Sequence, residues 1–421
     1  MARETQNIFI GWLFLIVIGF TGYMTSFIED FNLAILSVLI AGITLSIVYR
    51  KKFTVTQAHF SRILLGLLFV FSGITKGVDP VGTEYRIVDY FIAYGTEWAF
   101  PLAPALSVIL NASEFVLGLM LLFNVKIRLS LWLALLMMIF FTITTINDAL
   151  YNPVPDCGCF GDAFTISNWQ TFYKNLLILS FLLVAFFTQN KLKPWFSIKT
   201  EYVLASLFIV SFVSFEIYNI RHLPVIDFRE WKVGNRMVQN DKLPLQYFLK
   251  YRNTETGEEK EYVSPDYPYD DSVWMSKWEF VDQRVVDPNP KITDIMLDDV
   301  AGTDVTVDII ENPDYQFMFV VYDLSKSNLA DLDKIKVFSG QCEKNGYSFV
   351  MLTGSLPEEV EAFMDAWDLD LDYVLTDDII LQAMIRSNPG LVLLKDAVVM
   401  GKWHYNDFPD YREFENEFVE N

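Results

Sequence analysis

The sequence predicts a polytopic α-helical membrane bundle of about seven spans, followed by an extracytoplasmic α/β domain. Long apolar runs crowd the first half of the chain. Basic residues recur in every second loop between those runs. Past Arg221 the chain turns acidic and strands begin to alternate with helices. The 421 residues are 52% hydrophobic and only 20% charged, less charge than soluble domains usually carry. The net charge of −21 comes mostly from the second half, and so acidic an outer part argues against nucleic acid or anionic lipid as its partners.

The runs place spans near Ile8–Phe27, Asn32–Tyr49, Phe60–Thr75, Trp98–Phe123, Ile127–Ile146, Thr171–Phe187 and Glu201–Ile217. The first lacks a small-residue cleavage site and is followed at once by the second, so it reads as an anchor. Arg50, Lys51 and Lys52, then Lys126 and Arg128, then Lys191, Lys193 and Lys199 occupy alternate connections. The positive-inside rule puts those three loops and the N-terminus in the cytoplasm. The loops Gly77–Glu97 and Asp148–Gln170, and everything after Arg221, then face outward.

Four regions follow: residues 1–59 with two helices, 60–222 with the main bundle, a small β-rich linker over 223–290, and an α/β domain over 291–421. In the linker, Leu245–Tyr251 and Trp278–Val286 alternate as strands do, and Thr254-Glu255-Thr256-Gly257 reads as a hairpin turn. The last region predicts strands at Gln316–Tyr322 and Tyr347–Thr353 and helices at Asn328–Lys344, Pro357–Trp367 and Ile379–Ile385. A hairpin of Leu391–Leu394 and Val398–Trp403 closes it, before an amphipathic helix over Glu413–Glu420.

Cys157 and Cys159 flank one glycine on the second outward loop. An oxidising compartment favours a disulfide there, and a ring closed across one residue is tight, which suits exchange rather than static bracing. Asp156 and Asp162 do not favour a thiolate, so activation calls for the following helix N-terminus or for Arg86 or Lys174. Three readings stay open: exchange chemistry, a structural staple, and a metal site. The last is poorly furnished, and no metal is expected. Cys342 reads as a buried core thiol, and His59, His222 and His404 as surface or capping residues. Glu114 falls in the middle of the fourth apolar run and needs a partner, a proton or a polar cavity. Arg62 and Lys76 are the candidate partners, with Ser72 nearby; Asn147 and Asp148 end the fifth run on the cysteine side. A buried ion pair that fixes helix register and a proton path serving the cysteines are both compatible with these residues.

Arg62-Ile63-Leu64-Leu65-Gly66, Phe71-Ser72-Gly73-Ile74-Thr75-Lys76, Asp79-Pro80-Val81-Gly82-Thr83 and Cys157-Gly158-Cys159-Phe160-Gly161 resemble the DoxX/MauE-like family of membrane proteins over about Phe60–Thr188. The resemblance implies a redox setting and admits quinone as a cofactor, though no residue pattern here marks a quinone site. Residues 291–419 resemble the thioredoxin-like superfamily, near its TlpA and peroxiredoxin branches. Asn388-Pro389-Gly390 stands where that superfamily has a cis-proline. Its redox cysteines are missing, because Asp323-Leu324-Ser325-Lys326-Ser327-Asn328 fills their position. The resemblance therefore implies a peptide groove at Pro389, lined by Asp323, Ser325 and Lys326, without dithiol activity.

The function expected is that of a redox-accessory membrane protein. Cys157 and Cys159 would exchange electrons with a periplasmic or envelope client, and the C-terminal domain would recruit it. A non-enzymatic scaffold whose periplasmic domain binds another envelope protein is the alternative. Lipid is the other expected partner, and nucleic acid is not one.

Overall fold

The computed structural model describes residues 2–25, 27–238, 246–286, 295–330 and 332–420, with side chains from residue 10 onward. The expected start of the α/β domain at Lys291, and Leu245 at the head of one predicted strand, lie outside the described residues. The chain divides into two compact units, Met1–Arg229 and Glu230–Asn421.

The first unit is helical: α1 (Ala2–Thr25), α2 (Leu33–Val48), α3 (Val55–Val78), α4 (Pro80–Ala93), α5 (Ala103–Leu122), α6 (Ile127–Tyr151), α7 (Asn168–Phe187) and α8 (Ile198–Arg221). By length and composition, five apolar helices can cross a membrane: α3, α5 with its short lead-in from Glu97, α6, α7 and α8. Two shorter apolar helices, Ile10–Thr25 and Leu33–Val48, complete the seven expected runs. The chain is thus a multi-pass membrane protein.

Local sequence sets the helix ends. Thr54 and Gln57 cap the start of α3 reciprocally, and Ser167 and Gln170 do the same for α7. One expected loop is in fact structured. Within Gly77–Glu97, Asp79 accepts from the Gly82 amide at 3.0 Å, and Pro80 takes the first helical position, so α4 forms. Its low apolar content hides it from a search for spans.

α3 and α5 pack backbone to backbone. A Cβ on Gly118 would lie 2.6 Å from the Val70 nitrogen, and one on Gly66 2.9 Å from the Gly118 carbonyl oxygen. Small residues here let two long helices approach closely enough for their polar side chains to meet. At one end of the bundle, Lys191 donates to the Phe53 carbonyl and Asn124 to the Lys193 carbonyl, which gathers the basic loops together. The cysteine turn is at the other end.

The second unit holds two sheets. β1 (Gln246–Asn253), β2 (Glu259–Val263) and β3 (Trp278–Val286) form an antiparallel sheet in the order β2-β1-β3, with short helix α9 (Ser272–Lys277) before β3. The predicted hairpin turn joins β1 to β2, with Gly257 at positive φ. After α10 (Thr306–Ile310) come β4 (Gln316–Val320), α11 (Leu332–Lys344), β5 (Ser348–Thr353), α12 (Pro357–Trp367), β6 (Asp372–Leu375), α13 (Asp378–Met384), β7 (Gly390–Lys395) and β8 (Val398–His404). Their sheet runs β6-β5-β4-β7-β8, parallel from β6 to β4 and antiparallel from β4 to β8. β4 is central and buried at every position, as the apolar run Phe317–Val320 after the buried Gln316 requires. α14 (Tyr411–Phe414) and the turn after it close the chain, with Phe414 packed on Phe317 and Tyr315.

Gly118→Val should lower the stability of the detergent-solubilised protein by about 1–3 kcal/mol, through overpacking against α3. Gly19→Ala in α1, where a Cβ meets nothing within 4 Å, should leave the thermal midpoint unchanged. Equal midpoints for both variants would contradict the close α3–α5 crossing.

Candidate functional site

Cys157 and Cys159 are joined as a disulfide, their Cα atoms 5.5 Å apart, in the connection between α6 and α7. Gly158 makes the turn possible. Its φ is +63°, a conformation that side chains resist, and a Cβ there would meet Arg86 Cγ at 3.3 Å. The Gly158 amide donates to Asp156 Oδ1 at 2.8 Å, and Asp156 Oδ2 accepts from Arg86 at 2.9 Å. Arg86 also binds Asp89 at 2.9 Å, so two carboxylates occupy it. Phe160 stacks on Phe164 and packs against Phe71 of α3, which holds the turn to the bundle.

Below the turn lies the buried charge. Glu114 on α5 pairs with Lys76 on α3, and both are almost wholly buried. Of the two candidate partners, only Lys76 reaches. Arg62 stands 14 residues earlier on α3, roughly 21 Å along the axis. It instead donates to the Leu121 and Leu122 carbonyls at the end of α5 and lies 4.7 Å over the Trp195 ring. Ser72, one turn before Lys76, links the pair to the turn. Its Oγ is 2.6 Å from Glu114 Oε2 and 2.8 Å from the Cys159 carbonyl oxygen, and its single hydrogen serves one acceptor at a time.

α7 supplies the other wall. Thr171 Oγ1 lies 3.8 Å from Cys157 Sγ. One turn along the same face, the Lys174 ammonium sits 4.6 Å over the Phe160 ring. No carboxylate lies within ion-pair distance of Lys174 among the described residues. Asp148 on α6 accepts from Tyr90 of α4 at 2.7 Å, and Asn147 donates to Tyr94 at 2.8 Å, which ties α4 to α6.

These groups surround a cavity of about 840 Å³, large enough for a drug-sized molecule. Cys157 and Cys159 form part of its wall, with Lys76, Glu114 and Lys174 deeper and apolar side chains of α5 and α6 opposite. The disulfide is therefore reachable and not sealed in the core. No cluster of three or more metal-ligating side chains occurs among the described residues.

The cysteines, Glu114, Lys76, Ser72, Arg86 and Lys174 all named themselves in the sequence as candidates, and the fold brings them together. Thr171, Tyr90 and Phe160 did not; each is an ordinary residue whose role depends on which helices meet. Asp148 borders the same end but is engaged by Tyr90. In the second unit, Asn388-Pro389 is cis. Pro389 is buried, and the Asn388 carbonyl already accepts from the Asn328 amide at 2.9 Å. The Asn388 side chain donates to the Asp323 carbonyl at 2.7 Å. Asn388 is thus tied to both Asn328 and Asp323 at this corner. Burial pulls the Asp323 carboxyl up, but hydrogen bonds from Lys326 and Ser325 outweigh it and hold the group below its usual range. Cys342 is fully buried, its thiol pushed up to about 12 by burial.

Residues 50–188 match the family described as Methylamine utilisation protein MauE. That third of the chain contains α3 to α7, the disulfide and the Lys76–Glu114 pair. No curated protein and no solved structure matches the chain.

Breaking the buried pair on one side should cost more than removing it. Lys76→Met or Glu114→Gln alone should each destabilise by roughly 3–5 kcal/mol, and the double variant by less than either single one, as read from unfolding midpoints in detergent. Additive losses would mean that the two groups do not interact. For Asp323, whose carboxyl sits low when folded, the stabilisation is present at neutral pH and fades as pH falls through the folded value. Acid titration of thermal unfolding should therefore be shallower in Asp323→Asn than in the parent chain. Parallel curves would contradict that hydrogen-bonded corner.

Proposed function

We propose that this chain is a membrane-bound thiol–disulfide exchange protein whose reacting bond is Cys157–Cys159. One observation carries the reading: the disulfide is in the wall of an open cavity, beside a cation free to balance a thiolate. A staple would gain nothing from either. Of the three cations along the cavity, Lys76 is paired with Glu114 and Arg86 with Asp156 and Asp89, which leaves Lys174.

The exchange balances as a two-electron transfer. A client thiolate attacks Cys157 sulfur, the Cys157–Cys159 bond breaks, and Cys159 leaves as a thiolate. The client's second thiolate then attacks its own sulfur in the mixed disulfide, and Cys157 leaves, stabilised by the Thr171 hydroxyl and the Lys174 ammonium. The client is oxidised to a disulfide, and both cysteines are reduced. Exchange with a more oxidising protein disulfide reverses the sequence and restores the bond. Gly158 and the Ser72 contact to Cys159 keep the turn in place while the bond is open.

The basic loops, gathered at the far end of the bundle, support a cytoplasmic placement for themselves and a periplasmic one for the cysteine turn. The order β6-β5-β4-β7-β8 with a cis-proline ahead of β7 supports a thioredoxin-like reading of the second unit. Asp323–Asn328 carries no thiol, so that unit would serve as a recruiting module and not as a second redox centre.

Thiol trapping in intact cells tests the reading. The Cys157–Cys159 pair should shift between oxidised and reduced pools when the envelope is challenged with reductant, and a Cys159→Ser variant should accumulate mixed disulfides through Cys157. In the reduced protein, Lys174→Met should slow alkylation of Cys157 near neutral pH, because loss of the cation raises the thiol pKa. A pair that never cycles, in a chain whose double serine variant is fully functional, would leave the scaffold reading in its place.

A further inference from the structure

Lys174 poses a problem in the resting, oxidised protein. Its ammonium lies within the membrane-spanning part of the chain, beside an apolar cavity, over the Phe160 ring and with no carboxylate at ion-pair distance among the described residues. The charged groups close enough to act on it are Lys76 and Glu114. Those two neutralise each other in a buried pair, so one positive charge is left over. An unpaired cation in such surroundings is costly, so Lys174 keeps its proton readily only where an anion joins it. While the disulfide is closed, no thiolate is there to do so.

The cavity points to where the anion comes from. Its wall includes Leu106 and Ile109 of α5 and Phe140 and Ile143 of α6, apolar side chains that are exposed on the outside of the bundle. In a membrane those faces meet acyl chains, so the cavity opens sideways into lipid. A mostly apolar chamber in which Lys76 and Arg86 are already paired with carboxylates and Lys174 is not complements an amphiphile with a negative head. We propose that the cavity binds an anionic amphiphile, its acyl chain between α5 and α6 and its carboxylate or phosphate head against Lys174. The head would then lie beside the Cys157–Cys159 turn and compete with a Cys157 thiolate for the same ammonium, so occupancy would favour the oxidised form. Binding itself does not depend on thiol exchange; only this last effect rests on that reading.

Equilibrium binding of radiolabelled oleate to the full-length chain in a neutral maltoside detergent is the direct test. Oleate should bind with a stoichiometry near one per chain, and oleyl alcohol, which has the same chain but no charge, much more weakly. Lys174→Met should weaken oleate binding by roughly tenfold or more, while Lys174→Arg should restore it, separating head recognition from a folding defect. Ile143→Trp should close the lateral mouth and reduce binding without altering any charge. Competition by phosphatidylglycerol against oleate decides which head is preferred, a lipid phosphate or a free carboxylate. A Cys157→Ser/Cys159→Ser chain should bind as the parent does, so failure of the exchange reading leaves this one standing. Equal affinity for oleyl alcohol and oleate, or oleate binding indifferent to both Lys174→Met and Ile143→Trp, would overturn it.

Discussion

An ion pair between Lys76, in the last turn of α3, and Glu114 of α5 lies buried in the bundle, and the rest of the site is arranged around it. Neither charge could remain in hydrocarbon alone, so the two helices that carry them have to cross at one register. The glycines at that crossing let the backbones come close enough for the pair to form. Ser72 then extends the constraint outward, from the carboxylate to the carbonyl of Cys159. A disulfide turn that would otherwise hang on a connecting loop is thereby fixed to two membrane helices. Phe160, wedged against Phe71 and Phe164, adds the apolar half of the same attachment.

Charge placement around the turn is uneven, and the unevenness is informative. Arg86 looks suited to lower a thiol pKa, but Asp156 and Asp89 neutralise it, and Asp156 also shapes the turn through the Gly158 amide. Lys174 stands where a newly formed anion would need it. The difference comes from elements, not residue types: α4 brings its own carboxylate beside Arg86, whereas α7 presents Lys174 among aromatic rings.

Much of this was readable beforehand. Apolar runs of membrane length identify themselves, because the bilayer interior tolerates few alternatives to a continuous helix. Unbroken Phe-Met-Phe-Val at β4, and the Asn-Pro-Gly before β7, placed the mixed sheet. A carboxylate in the middle of an apolar run announced a polar interior. What could not be read was which partner it finds. Arg62 and Lys76 are equivalent as letters and differ only in depth along α3, a distinction that depends on how α5 is offset against it. α4 was missed because its helix signal, Asp79-Pro80, lies in a stretch too polar to register as a span. Thr171 and Tyr90 owe their places entirely to tertiary packing. At the Pro389 corner, the hydrogen bond from the Asn328 amide to the Asn388 carbonyl joins residues 60 positions apart and could not be read from the sequence.

Cys342 has a practical consequence of its own. Wholly enclosed beneath the sheet, with a thiol that stays protonated throughout the ordinary working range, it neither competes for alkylating reagents nor lends electrons to a redox buffer. In the folded chain, therefore, only one sulfur couple is electrochemically visible. A glutathione titration followed by any thiol-reactive dye would trace a single Nernstian wave, and its midpoint could be assigned to one bond without removing any other cysteine first.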